Sequence, residues 1–156
     1  MDNVSSEDRD FVLWTLLRQT RDLIYGLRQR ELNQYNISAR QAAVLFTLHI
    51  LGDEATPTLI SKWLLRKPHS ISGILNRMLK SGLITKTRDK HKQNTVRVAM
   101  TDKGREAYFN SIKRESFHEA MSCLSEEDKQ SLLSVLTQLR ESAIQKLGPT
   151  YRPLFP

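Results

Sequence analysis

Two prolines constrain what this chain can fold into more than any other feature. Thr56-Pro57 sets a capping hydroxyl directly before a proline at the first helical position, where the ring's fixed φ and missing N–H suit the start of a helix. The short helix it opens runs through Leu59, Ile60, Trp63 and Leu64, and Pro68 repeats the signal a few residues later. The helix begun at Pro68 runs to Lys80 and meets its stop at Ser81-Gly82. Two helices joined by so few residues make a helix-turn-helix corner. After Gly82 the pattern alternates: 83–88 and 95–100 are rich in β-branched residues and flank the polar stretch 89–94, which predicts a two-stranded hairpin.

Helices are also predicted on both sides. Ser5 with Asp8 three residues on predicts a capped first helix running to Asn33 through Phe11, Trp14, Leu17, Ile24 and Leu27. Ser38 with Gln41, after Ile37 as a hydrophobic staple, predicts a second that ends at Gly52. Thr101 caps one further helix, expected to contain Tyr108, Phe109, Ile112, Phe117, Ala120 and Met121, and Ser125 with Asp128 caps the last, which ends at Gly148-Pro149. That last helix spaces Leu132, Leu136, Leu139 and Ala143 at alternating fours and threes, a seam made to pack along another helix. The partner is either a helix of the same subunit or a second copy, and the apolar tail 151–156 favours the second copy.

At 156 residues, one domain with a real core is expected. The formal charge of +7 is unevenly placed. Between Thr56 and Lys103 eleven Lys or Arg face only Asp89 and Asp102, a local balance of +9 that leaves −2 for the rest. A localised basic stripe points to nucleic acid, because phosphates neutralised by cations release their counterions. The competing lipid reading lacks a basic amphipathic helix with a broad aromatic face. A single cysteine, Cys123, excludes an internal disulfide framework and fits a reducing cytoplasm. The polar, acidic start is unlike a signal peptide, and no apolar run approaches membrane-spanning length.

The helix from Pro68 divides into two faces. Ile71, Ile74, Leu75, Met78 and Leu79 share one arc, predicted to be core, while His69, Gly73, Asn76, Arg77 and Lys80, edged by Ser70 and Ser72, face outward without an acid among them. Asn76 has the donor and acceptor to pair bidentately with adenine, Arg77 reaches guanine or phosphate, and the serines bond either. Gly73 is either a point of close approach or a tolerated surface glycine. The hairpin tip, from Arg88 through Lys90 and Lys92, can lay a cation in a narrow minor groove or stand as a solvated turn. Arg40, in the first turn of the second helix, completes the candidate DNA contacts.

From Ser38 to Gly104 the chain resembles the winged helix-turn-helix of the MarR family of bacterial transcription regulators. The likeness is carried by Thr56-Pro57, Pro68-His69-Ser70-Ile71-Ser72, Asn76-Arg77-Met78, Lys80-Ser81-Gly82-Leu83-Ile84 and Met100-Thr101-Asp102-Lys103-Gly104. The resemblance implies a mainly α fold with a small β-hairpin wing. Residues 38–104 would bind double-stranded DNA, and 1–37 with 105–156 would form a helical dimerisation region within one unit. It further implies a cytoplasmic homodimer on a near-palindromic operator, most often a repressor, released by a small aromatic or phenolic ligand. Trp14, Tyr25, His49 and Tyr108 could line that ligand's pocket, with core packing as their ordinary role. Two departures stand out: Lys92-Gln93-Asn94 replaces the family's Asp-Arg-Arg run at the wing tip, and His69 and Gly73 replace a common serine and arginine. Gln93 therefore cannot take the wing arginine's role, which passes to Arg88, Lys90 or Lys92.

Other chemistry is thinly supported. Glu115 and His118 have the spacing one helix offers a metal, but no second such pair exists. Cys123 is expected to be a small buried hydrophobe rather than a redox sensor. With no nucleophile elbow, phosphate-binding loop or catalytic triad, neither an enzyme nor a bound cofactor is expected. The competing function is a protein-interaction module or a nonspecific architectural DNA coat on the same scaffold.

Overall fold

The computed structural model describes residues 6–88 and 95–148. Helix α1, Ser6–Asn33, is followed by α2, Ala39–Leu51, and a 3-10 turn, Gly52–Glu54. The helix-turn-helix consists of α3, Pro57–Trp63, and α4, Pro68–Lys80. The hairpin pairs β1, Ile84–Arg88, antiparallel with β2, Val96–Met100, placing Lys86 opposite Val98. Helices α5, Asp102–Ser111, α6, Glu115–Met121, and α7, Glu126–Leu147, complete the described residues. This is the mainly α, winged helix-turn-helix architecture expected.

Local cap chemistry sets most of these boundaries. Ser38 and Gln41 form a reciprocal capping box on α2, as do Ser125 and Asp128 on α7, and the Thr56 hydroxyl accepts the N–H of Leu59 at the start of α3. Ser5, the expected cap of α1, lies outside the described residues. Helix α4 begins on Pro68 with no side-chain cap. The turn before it is fastened from α3: the buried Ser61 hydroxyl donates to the Arg66 carbonyl at 2.5 Å, while Leu65 adopts a φ of 47°.

The core lies beneath the wing and the helix-turn-helix. Val44, Leu45, Ile60, Ile71, Leu75, Met78, Ile84 and Val98 are all sealed from solvent. The Val98 N–H also bonds the Ala55 carbonyl at 3.0 Å, so the base of the wing is stitched to the segment before α3. Gly104 enters this packing closely: a methyl group there would lie 2.0 Å from the Leu83 carbonyl oxygen, which already accepts the Thr101 N–H. Gly104→Ala is expected to cost about 1–3 kcal/mol through forced backbone movement. The check is a lower urea midpoint at unchanged slope.

Three expectations are corrected. Leu79 is 44% exposed rather than core, because it sits about 80° around α4 from Ile71 and the buried stripe closes before reaching it. The single helix expected after Thr101 is two helices, broken at Ile112–Arg114, where Arg114 takes a left-handed φ of 53°. Its cause lies in α1. The Glu31 carboxylate accepts the backbone N–H groups of Glu115 and Ser116 and the Ser116 hydroxyl, while Arg28 donates to the Ser111 carbonyl. These contacts replace the bonds a continuous helix would make with itself. Finally, Cys123 is exposed, because it falls in the surface turn between α6 and α7, where its thiol donates to the Ala120 carbonyl at 3.4 Å.

Candidate nucleic-acid interface

The outward face of α4 is built on the buried one. With Ile71, Ile74, Leu75 and Met78 fixed in the core, helical geometry leaves His69, Ser70, Ser72, Asn76 and Arg77 exposed, with Lys80 beside them. Gly73 lies half-buried among them, and a Cβ there would meet nothing closer than the Arg77 side chain at 3.8 Å. The surface at Gly73 is therefore open, with room for a partner. Arg88 is exposed at the end of β1, and Arg40 at the start of α2. Lys90 and Lys92 lie outside the described residues.

Not every cation of the basic stripe is available to a partner. Lys103 donates to the Ser81 carbonyl at 2.9 Å, at the end of α4, and Arg97 pairs with Glu54 at 3.0 Å, tying β2 to the 3-10 turn. Lys67 caps α4 through its backbone and is exposed, as is Arg66 beside it. Both flank the groove-facing surface, and their signal was their place directly before Pro68. A more consequential residue also escaped the sequence pattern: Lys86 on β1 donates from Nζ to Asn76 Oδ1 at 2.8 Å, joining wing to helix.

Behind this surface, a cavity of ≈ 610 Å³ lies between α1, α2 and α6, lined by Arg21, Ile24, Tyr25, Arg28, Phe46, Arg114 and Phe117. A second, of ≈ 340 Å³, shares Arg28, Phe46 and Arg114 and reaches Trp63 and Leu64 at the end of α3. Of the four aromatic candidates, Tyr25 lines the larger cavity. His49 and Tyr108 stack on each other with ring centroids 4.5 Å apart, and Trp14 stands 58% exposed against Phe11 and Arg18.

Glu31 lies beside this region, against Arg28, which lines both cavities. It is buried, paired with Arg28 at 2.8 Å, and bonded to the start of α6. Burial alone would raise its carboxyl, but the Ser116 hydroxyl and the Arg28 guanidinium outweigh that, holding it below the usual carboxylate value. Glu115 and His118 both lie on α6, where the Glu115 backbone is engaged by Glu31. Among the described residues no three metal-capable side chains gather, and no helix is long and apolar enough to cross a membrane.

Residues 35–93 match a family model described as the MarR family. The fold is similar to a crystal structure of the organohalide-sensing transcriptional regulator RdhR-CbdbA1625 in its ligand-free form, with a TM-score of 0.86 and 28% identity over 100% of this chain and 95% of that one. The 2,4-dichlorophenol-bound form of that regulator gives a TM-score of 0.84 at 28% identity, covering 97% of this chain and 94% of that one. The S. aureus MepR–DNA complex gives 0.75 at 25% identity, over 82% of this chain and 96% of that one. No curated protein sequence matches the chain.

Proposed function

We propose that this chain, a MarR-family winged-helix protein, regulates transcription as a homodimeric repressor, laying α4 of each subunit in the major groove of a near-palindromic operator. The observation that carries this reading is the outward face of α4. Six exposed polar side chains, Lys80 included, stand on it without an acid, on a helix whose other face is locked into the core. Base edges reward such a surface and solvent alone does not require it. In this reading His69, Ser70, Ser72, Asn76 and Arg77 meet bases or nearby phosphates, Gly73 admits close approach, and Arg40, Arg88, Lys90 and Lys92 hold the backbone.

Dimerisation is supported by what the single chain leaves uncovered. Helix α7 buries no residue along its 22 positions, and Leu133, Val135, Leu136 and Leu139 stand 40–60% exposed. Phe11, Leu13, Trp14 and Leu23 on α1 are more than half exposed as well. Apolar stripes of this extent call for a partner, and flanking helices of a second copy supply matching ones. The cavity supports a small aromatic effector with an ionisable hydroxyl, since its rings offer apolar contact and, with Arg28 held by Glu31 and Arg21 by Asp22, the Arg114 guanidinium is left to favour the anion. The likeness to a regulator solved with 2,4-dichlorophenol points the same way.

Competition binding tests the function. A regulator should prefer DNA from its own upstream region over random duplex by roughly a thousandfold or more at fixed salt. Equal affinity for both would replace this reading with that of an architectural DNA coat.

A further inference from the structure

The contact between Lys86 and Asn76 bears on which base the chain reads. Lys86 Nζ lies 2.8 Å from Asn76 Oδ1. The chemistry fixes the amide's orientation, because an ammonium has three donors and no acceptor and can face only the carbonyl oxygen. The Nδ2 group is therefore turned away from the wing. The arrangement is anchored from behind: Lys86 stands opposite Val98, whose buried side chain and N–H bond to Ala55 fix the wing's base. No acid on α4 competes for the lysine, and Asp102 is taken by Arg105.

An unrestrained asparagine in the major groove offers an acceptor and a donor together, the pair that matches N6 and N7 of adenine. Oδ1 keeps a second lone pair, but with the Lys86 ammonium on the first, a base donor such as adenine N6–H has to share the oxygen with a cation. The Nδ2 donors stay free and, beside that cation, match an edge made of acceptors alone, the N7 and O6 of guanine. We infer that Lys86 is a specificity-determining positioning residue that turns Asn76 toward donating and sets a cation beside its oxygen, so that this chain selects guanine where an unpaired asparagine would select adenine. The inference rests on α4 being the recognition helix.

Its test is binding-site selection from a randomised duplex library with the full chain, comparing wild type, Lys86→Met, Lys86→Arg and Asn76→Ala. Wild type should select guanine at one position. Lys86→Met should swing that position to adenine by about tenfold or more, the discrimination one good bidentate pair supplies. Lys86→Arg, which still donates, should keep guanine, and Asn76→Ala should lose the preference in either background. An unchanged guanine preference in Lys86→Met, with uniformly weaker binding and a flatter salt dependence, would make Lys86 a phosphate contact and overturn the inference. Wild-type protein that selects no sequence would overturn the recognition-helix reading itself and the inference with it.

Discussion

Glu31→Ala should lower the free energy of unfolding by about 3 kcal/mol, toward the lower end of what removing one partner from a buried ion pair costs. The lower end applies because the Arg28 side chain is one-fifth exposed and keeps some hydration. Two losses combine: Arg28 is left without its carboxylate, and the first N–H groups of α6 lose their acceptor. Urea unfolding followed by circular dichroism at matched protein concentration measures it, since the stability of the proposed dimer would depend on concentration. A loss under about 1 kcal/mol would mean that the α5–α6 break is held by something else. The pH dependence follows from the depressed carboxyl. Its contribution is complete above the unfolded value of about 4.3 and is lost as pH falls through the lower folded value. Glu31→Gln should lack this part of the acid transition.

Leu136→Asp combined with Leu139→Asp should produce a monomer, and operator affinity should fall by about a hundredfold or more as the two half-sites cease to be bound together. Neither leucine is buried in the single chain, so the winged helix should keep its helical signal and its unfolding cooperativity. Sedimentation and DNA binding on the same samples separate the two effects. A variant that stays dimeric would move the interface away from the α7 seam. A monomer with undiminished affinity would remove the need for two half-sites.

What the sequence made legible is what local chemistry decides. The starts of α2, α3 and α7 were readable because cap and capped N–H lie three residues apart, and α4 because its buried stripe repeats within thirteen positions. The break between α5 and α6 was not readable. No proline or glycine marks Ile112–Arg114, and the groups that create it stand more than eighty residues earlier, on α1. Cys123 shows a related effect: residue type favours burial, but a turn between two helices puts it on the surface.

The candidate interface divides in the same way. The groove-facing residues of α4 follow from that helix's own periodicity, whereas the state of Asn76 depends on Lys86, ten residues away on another element. The expectation of bidentate pairing with adenine considered the asparagine by itself. Only the juxtaposition of wing and helix shows that its oxygen is already engaged. The basic count likewise overstated the surface, since Lys103 and Arg97 serve the fold.

The central claim, that α4 enters the major groove, is tested most directly by dimethyl sulfate footprinting on a duplex selected by the wild-type protein, because the reagent reads guanine N7 in the major groove and adenine N3 in the minor groove. Two patches of N7 protection centred about 10 base pairs apart, both lost with Arg77→Ala and Asn76→Ala combined, are the predicted result. Protection confined to adenine N3, or N7 protection unchanged in that double variant, would contradict it.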